Sequence, residues 1–353
     1  MKTLYKYIAA LLIGAMLMPQ LLQAGNKDRS GQAGASELLI NPWARSSGWG
    51  SANMARVHGL EAMWGNVGGT AFTPGTQVIF AHTQWLKGTG TNIFAFGLSQ
   101  RVSESGVFGL QVMSMNFGDI EVTTTDSPDG GVGTYSPNLM NFALSYAKAF
   151  SNSISAGVVF KVISESMSDI NAIGVAVDIG IQYISGENDQ FAFGVALKNV
   201  GPTMKFSGDG LSLRTVIPGQ DNQFTMEHRA ANFEMPAQLS IGASYDFLFG
   251  KELRLTPALN FISNSFTKDQ FAFGLEFSMK DWVMIRGGYT YEKGIWDDIY
   301  TPERSNVSSG LSLGATVQVP INKEKGTYFS VDYAYRDTKS FNGNHTLGII
   351  LNF

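Results

Sequence analysis

The sequence has no cysteine, little charge and, beyond its opening residues, no long apolar run. Each shortage excludes something. Without cysteine there is no disulfide framework, no thiolate metal site, no thiol nucleophile and no lipid attached through a cysteine. Charged residues make up 15% of the chain and the net charge is −4, so nothing points to nucleic acid. No later segment supplies about 18 consecutive apolar residues, which argues against a helical membrane protein. The histidines His58, His82, His228 and His345 are scattered, without metal-ligand spacing. No Gly-x-Ser-x-Gly elbow occurs, and spacing suggests no Ser/His/Asp set. The expectation is a protein that is not an enzyme and has no catalytic residue, metal or cofactor.

What is present is glycine, 40 residues of it, and aromatic side chains at 12%. That balance leaves a large soluble all-β protein or a transmembrane β-barrel. Residues 1–24 read as a signal peptide. Lys2 and Lys6 give a positive start, Ile8 to Met18 an apolar stretch, and Leu22-Gln23-Ala24 a small residue before a cut at Gly25. Pro19 interrupts the stretch, which is too short to span a bilayer.

From residue 76 onward the chain alternates with period two. Phe191, Phe193, Val195 and Leu197 share one face, and Ala192, Gly194, Ala196 and Lys198 the other. The pattern recurs at Phe271/Phe273/Leu275/Phe277 and at Phe329/Val331/Tyr333/Tyr335. About fourteen such segments can be placed, most of them near the roughly 9–11 residues that a tilted membrane strand needs. Their greasy rows carry almost no charge. Lys161, Asp178, Lys198, Asp246, Arg254, Glu276, Arg286, Asp332 and Arg336 all fall in the opposite row. An Arg or Lys facing mid-bilayer lipid costs roughly 2–4 kcal/mol, so this one-sidedness fits a wall against hydrocarbon. The long gaps 118–137, 201–235 and 294–307 follow strands 3, 7 and 11, on one side, while most gaps on the other side are tight turns. The reading is therefore an all-β, antiparallel transmembrane barrel over 76–353 in a bacterial outer membrane. Its long loops would face outward, away from the periplasm. Leu347, Ile349, Leu351 and Phe353 form an amphipathic last strand with an aromatic end, like the signal that barrel-insertion machinery reads.

The loop 201–235 is unexpectedly apolar. It carries Met204, Phe206, Leu211, Leu213, Val216, Ile217, Phe224, Met226, Phe233 and Met235. Flexible methionine and aromatic groups suit a surface that adapts to partners, or a loop that packs on itself. Arg214, Glu227, His228 and Arg229 read as a solvated rim. The inward rows are small: Gly157, Gly174, Gly180, Gly194, Gly242, Gly274, Gly288 and Gly314 leave room in the lumen for a ligand or for the N-terminal segment folded in as a plug, or relieve strand curvature. Residues 25–75 precede strand 1, and the expectation is a periplasmic plug or lid that closes the barrel from below.

That opening segment also carries motifs. It reads Ser36-Glu37-Leu38-Leu39-Ile40-Asn41-Pro42-Trp43-Ala44-Arg45, then Gly48-Trp49-Gly50-Ser51-Ala52, then Ala62-Met63-Trp64-Gly65-Asn66. These blocks resemble the start of the PorV/PorQ family of Bacteroidetes outer-membrane proteins, whose barrels are similar to the fatty-acid channel FadL. The third block departs from the family by lacking a proline after Asn66. The resemblance implies a FadL-like barrel of fourteen strands in the type IX secretion system, PorV-like by preference. Its implied partners are the very large translocon barrel subunit, the C-terminal signal domains of secreted cargo, and outer-membrane lipid. The FadL branch implies an alternative: a channel for hydrophobic small molecules.

Overall fold

The computed structural model describes residues 29–353 apart from Ile217, Pro218, Gln220, Asp221, Lys251, Pro302, Glu303, Ser305 and 323–325. The signal peptide read at 1–24, the first residues of the opening segment and Ile217 lie outside the described residues. The strands of the wall are β1 (Thr76–Gln84), β2 (Asn92–Arg101), β3 (Gly106–Asn116), β4 (Asn138–Ala149), β5 (Ile154–Met167), β6 (Ile170–Ser185) and β7 (Phe191–Val200). They continue with β8 (Gln238–Tyr245), β9 (Leu253–Asn264), β10 (Gln270–Met279), β11 (Val283–Glu292), β12 (Ser308–Asn322), β13 (Thr327–Thr338) and β14 (Asn344–Asn352). Each pairs antiparallel with its neighbours in sequence. β14 returns to β1, from Gln77↔Asn352 to Gln84↔His345, so the fourteen strands close into a barrel. Closure leaves no free edge, which a lipid-facing sheet requires.

Alternation dictates the two faces. Phe80, Phe94, Phe96, Phe160, Ile179, Phe273, Ile285 and Leu347 point outward and are exposed. A continuous apolar belt of this size would be untenable in water and is at home in hydrocarbon. Aromatic pairs occur towards both ends, such as Phe108 on Tyr146 beside the short connections and Phe261 on Phe271 at the other end, their centroids 4.9 and 5.0 Å apart. The inward row holds the charges, several of which pair with one another. Lys161 Nζ lies 2.5 Å from Asp178, and Arg286 donates to Glu276 at 2.8 Å.

Two ladder irregularities have local causes. Residues Phe247–Phe249 prolong β8 in the same register beyond a gap opposite Pro257, which has no N–H to give. Between β6 and β7 the register shifts at Asn199, whose φ is +59°. Its amide N–H donates to Asp178 at 2.7 Å and its side-chain oxygen accepts from Lys161 at 2.8 Å, so the inward ion pair holds the bulge.

The connections differ sharply between the two ends. Turns 102–105, 150–153, 186–190 and 280–282 are short; we term this the turn end. The segments 117–137, 201–237 and 293–307 rise from the other, the loop end.

The segment before β1 runs inside the barrel. It starts at the loop end, where Arg29 pairs with Glu234 at 2.6 Å and Ala33 bridges to Glu234. It descends past Arg45, which donates to Asp332 at 3.0 Å, and past Asn66, which donates to the Ile181 carbonyl at 2.9 Å. It leaves at the turn end, where Gly75 abuts Phe353. The sequence reading made this segment a plug or lid closing the barrel from below, with room for it among the small inward rows; it runs through the full height of the lumen. The reason lies in the wall. A Cβ on Gly288 would stand 2.1 Å from the Trp49 carbonyl oxygen, and one on Gly180 would stand 2.2 Å from Asn66 Oδ1. Glycine there admits backbone against backbone. Short turns such as Ala44–Ser47 and Ala52–Ala55 then bury Trp43, Leu60 and Met63 against the inner wall.

Candidate functional site

The apolar loop divides into an anchored base and a free tip. At the base, Met204–Lys205 pairs with Asn232–Phe233. Met204 and Met235 are buried with Ile163, Ala172 and Ala176 of the wall and with Ala35 and Leu38 of the inner segment. Gly174 makes room, since a Cβ there would sit 2.5 Å from the Met204 sulfur. Phe206 and Phe233 pack ring to ring at 5.4 Å on this cluster. Four of the apolar residues singled out from sequence thus fix the loop to the barrel. Leu211 is half-buried in the turn Asp209–Leu211 above them.

Beyond that turn, Ser212–Val216 pairs with Gln223–Glu227 as a hairpin. The register sets Leu213 opposite Met226 and Thr215 opposite Phe224. These residues share one face, because side chains alternate along each strand. Leu213 is 47% exposed, Phe224 37% and Met226 52%. The opposite face carries Ser212, Arg214, Thr225 and Glu227, together with exposed Val216. The hairpin is therefore amphipathic, with its apolar face uncovered. Burying such a side chain is worth about 1.5–3 kcal/mol, so the face favours contact with another apolar surface.

Below the loops a cavity of about 480 Å³ opens between the wall and the start of the inner segment. Ile40, Trp85, Met115, Phe117 and Leu139 give it an apolar side. Four charged residues reach it: Glu37, Lys198, Glu292 and Arg336. Glu37 is only 2% exposed, and neither carboxyl oxygen has a hydrogen-bond partner from another residue. Burial pushes its carboxyl up to about 7, and the charge of Glu165 adds to the effect. Sequence reasoning passed over Glu37; the available signal was an acid directly before the apolar run Leu38-Leu39-Ile40. Among the described residues no group of three or more His, Asp or Glu side chains could hold a metal ion. Glu227 and His228 stand exposed at the rim and do not converge with the cavity.

A closed antiparallel barrel with an apolar outer belt and a lumen occupied by the chain's own N-terminal segment is a transmembrane protein of the outer-membrane kind. Residues 83–351 match the family of type IX secretion system membrane proteins PorP/SprF, and the chain belongs to that family. No curated protein sequence matches. Among solved structures it is similar to the Ralstonia pickettii toluene transporter TbuX, with 13% identity and a TM-score of 0.51 over 89% of this chain and 98% of that one. It is also similar to a deltaS2 mutant of the monoaromatic hydrocarbon channel TodX, with 11% identity and a TM-score of 0.50 over 87% and 99%. Likeness at this level is one of fold. The secretion system named by the opening motifs stands, but the family is PorP/SprF, a different component from PorV. The two signals come from different parts of the chain: the motifs lie within 36–67, before the matched residues begin.

Proposed function

We propose that this protein is a partner-binding barrel of the type IX machinery, seated in the outer membrane with its loop end at the cell surface. It docks the very large translocon barrel subunit and receives the C-terminal signal domains of cargo through the hairpin 212–227. It performs no covalent chemistry, and residues 29–75 act as a plug. The observation that carries this reading is the uncovered apolar face of Leu213, Phe224 and Met226 on a loop whose base is buried. A face of this kind gains only when something covers it.

The fold shared with TbuX and TodX favours a second reading, a channel for hydrophobic molecules. Two features weigh against it. The lumen is occupied by the inner segment, and β3 pairs without interruption on both sides, leaving no lateral gap there. The variant L213S/F224S/M226S separates the readings. It is expected to reach the membrane as a folded barrel but to lose cargo secretion and co-purification of the translocon subunit. Unchanged secretion and co-purification, with impaired uptake of toluene or oleate by cells, would point to the channel instead.

A further inference from the structure

The inner segment closes the barrel unevenly. On the side of β1 to β5 it fills the section, with Trp43, Leu60, Met63 and Val67 buried against the wall. On the side of β8 and β9 it is thin. A second cavity, of about 250 Å³, opens at the turn end, where Arg56 on its lining donates to the Gln190 carbonyl at 2.8 Å. This cavity and the one at the loop end nearly meet. Along β9, the consecutive inward residues Asn260 and Ala258 border the loop-end and the turn-end cavity in turn. Along β8, only the inward Gly242 separates Ser240 on the first cavity from Ser244 on the second. Neighbouring inward positions of a strand are about 7 Å apart. What stands between is one turn of the inner segment, Ala52–Ala55. Asn53 borders both cavities, and Met54 fills the space that Gly242 leaves. The Asn53 amide donates to Ser46 Oγ at 3.4 Å, longer than the usual range, so it is loosely held.

Both cavities share a charge asymmetry. Their lining carboxylates, Glu37 and Glu292 at the loop end and Glu61 and Glu276 at the turn end, are all buried. The arginines are not: Arg336 at the loop end and Arg45, Arg56 and Arg254 at the turn end are each part-exposed. In the pair Arg45–Asp332 the arginine side chain is 23% exposed and the acid 1%. Water and mobile ions therefore meet guanidinium groups before they meet carboxylates, which raises the local concentration of anions.

We propose that the plug holds a narrow aqueous passage that carries small inorganic anions along β8 and β9 between the two cavities. Asn53 is its gate: when the side chain leaves Ser46, the cavities join. The groups around the constriction, Ser46, Ser240, Ser244 and Asn260, offer hydroxyls and amides to an ion that sheds part of its water, and suit ions rather than hydrocarbons. The inference goes beyond partner docking and does not depend on it.

The test uses the full chain purified in detergent and inserted into planar bilayers in KCl, with heat-modifiable migration showing that each variant is folded beforehand. Wild type is expected to give discrete current steps and, under a KCl gradient, a reversal potential of the sign set by chloride. N53A should raise the time-averaged current about threefold or more. N53F should abolish the steps in a folded barrel, a result that a plug merely loosened by substitution would not give. R336Q should move the reversal potential towards zero. Absence of current from folded wild-type barrel overturns the proposal. So do equal currents from wild type, N53A and N53F, which would mean a different route, and a reversal potential of the sign set by potassium.

Discussion

The base and the tip of the 201–235 loop are made from the same kinds of residue and end in opposite environments. Met204 is 1% exposed and Met226 52%. Phe233 is wedged between Phe206 and the backbone at Gly34, while Phe224 faces solvent. Composition cannot account for the difference; surroundings do. The base meets small residues on the wall, Gly174, Ala172 and Ala176, and the tip lies beyond their reach. Apolar groups that find a surface within the chain become structure. Those held away from one stay uncovered.

The sharpest way to break this comparison acts on the small residues that make the interior. Gly288→Val would drive a side chain into the Trp49 carbonyl, backbone that cannot turn aside. It should cost about 3 kcal/mol or more and release the inner segment, seen as new protease cleavage within 29–75 and a lower yield of heat-modifiable barrel. Next comes the loop itself. Met204→Ala should destabilise the folded protein by about 2–3 kcal/mol, whereas Met226→Ala should change it by less than about 0.5 kcal/mol, both read from denaturant unfolding in detergent. Equal effects would mean that the tip is packed after all.

Glu37 yields a pH effect that sharpens the comparison from inside the lumen. Its folded value, about 7, lies above the ordinary 4.5. The folded state therefore holds its proton more tightly than the unfolded chain. The associated stability is complete below about pH 4.5 and is lost as pH rises through about 7. Glu165 faces it from β5, and Lys198, Glu292 and Arg336 share the cavity, so the comparison must be between variants at one site. E37Q should flatten this part of the profile and leave the protein more stable than wild type at pH 8, by on the order of 2–3 kcal/mol. A variant less stable than wild type at pH 8 would show that Glu37 has a structural partner. The smallest expected effect is at the rim. Glu227→Gln, on the polar face of the hairpin, should leave stability within about 0.5 kcal/mol of wild type.

Much of the wall was legible. Period-two alternation at Phe191–Lys198 and Phe271–Ser278 placed greasy and polar rows on the faces they occupy, because a strand has only two faces and lipid tolerates little charge. The long gaps after strands 3, 7 and 11 did come out at one end. The inner segment was harder to read, because its short turns have no period and their partners are glycines far away in sequence. Trp49 against Gly274 and Gly288, or Asn66 against Gly180, leaves no local trace. The loop was half legible. Its apolar content was plain, but the division into buried Met204 and exposed Met226 depends on hairpin register and on wall residues that the loop does not contain. Glu37 and Arg336 stand about 300 residues apart in sequence, so only folding brings them to one cavity.

The most direct test of the account places a photo-crosslinking amino acid at position 224 and, in a parallel strain, at position 233, in cells exporting type IX cargo. Irradiation is expected to join position 224 to the translocon subunit or to a cargo signal domain, and position 233 to neither. Crosslinks of equal yield from both positions, or none from 224 while cargo export proceeds, would contradict it.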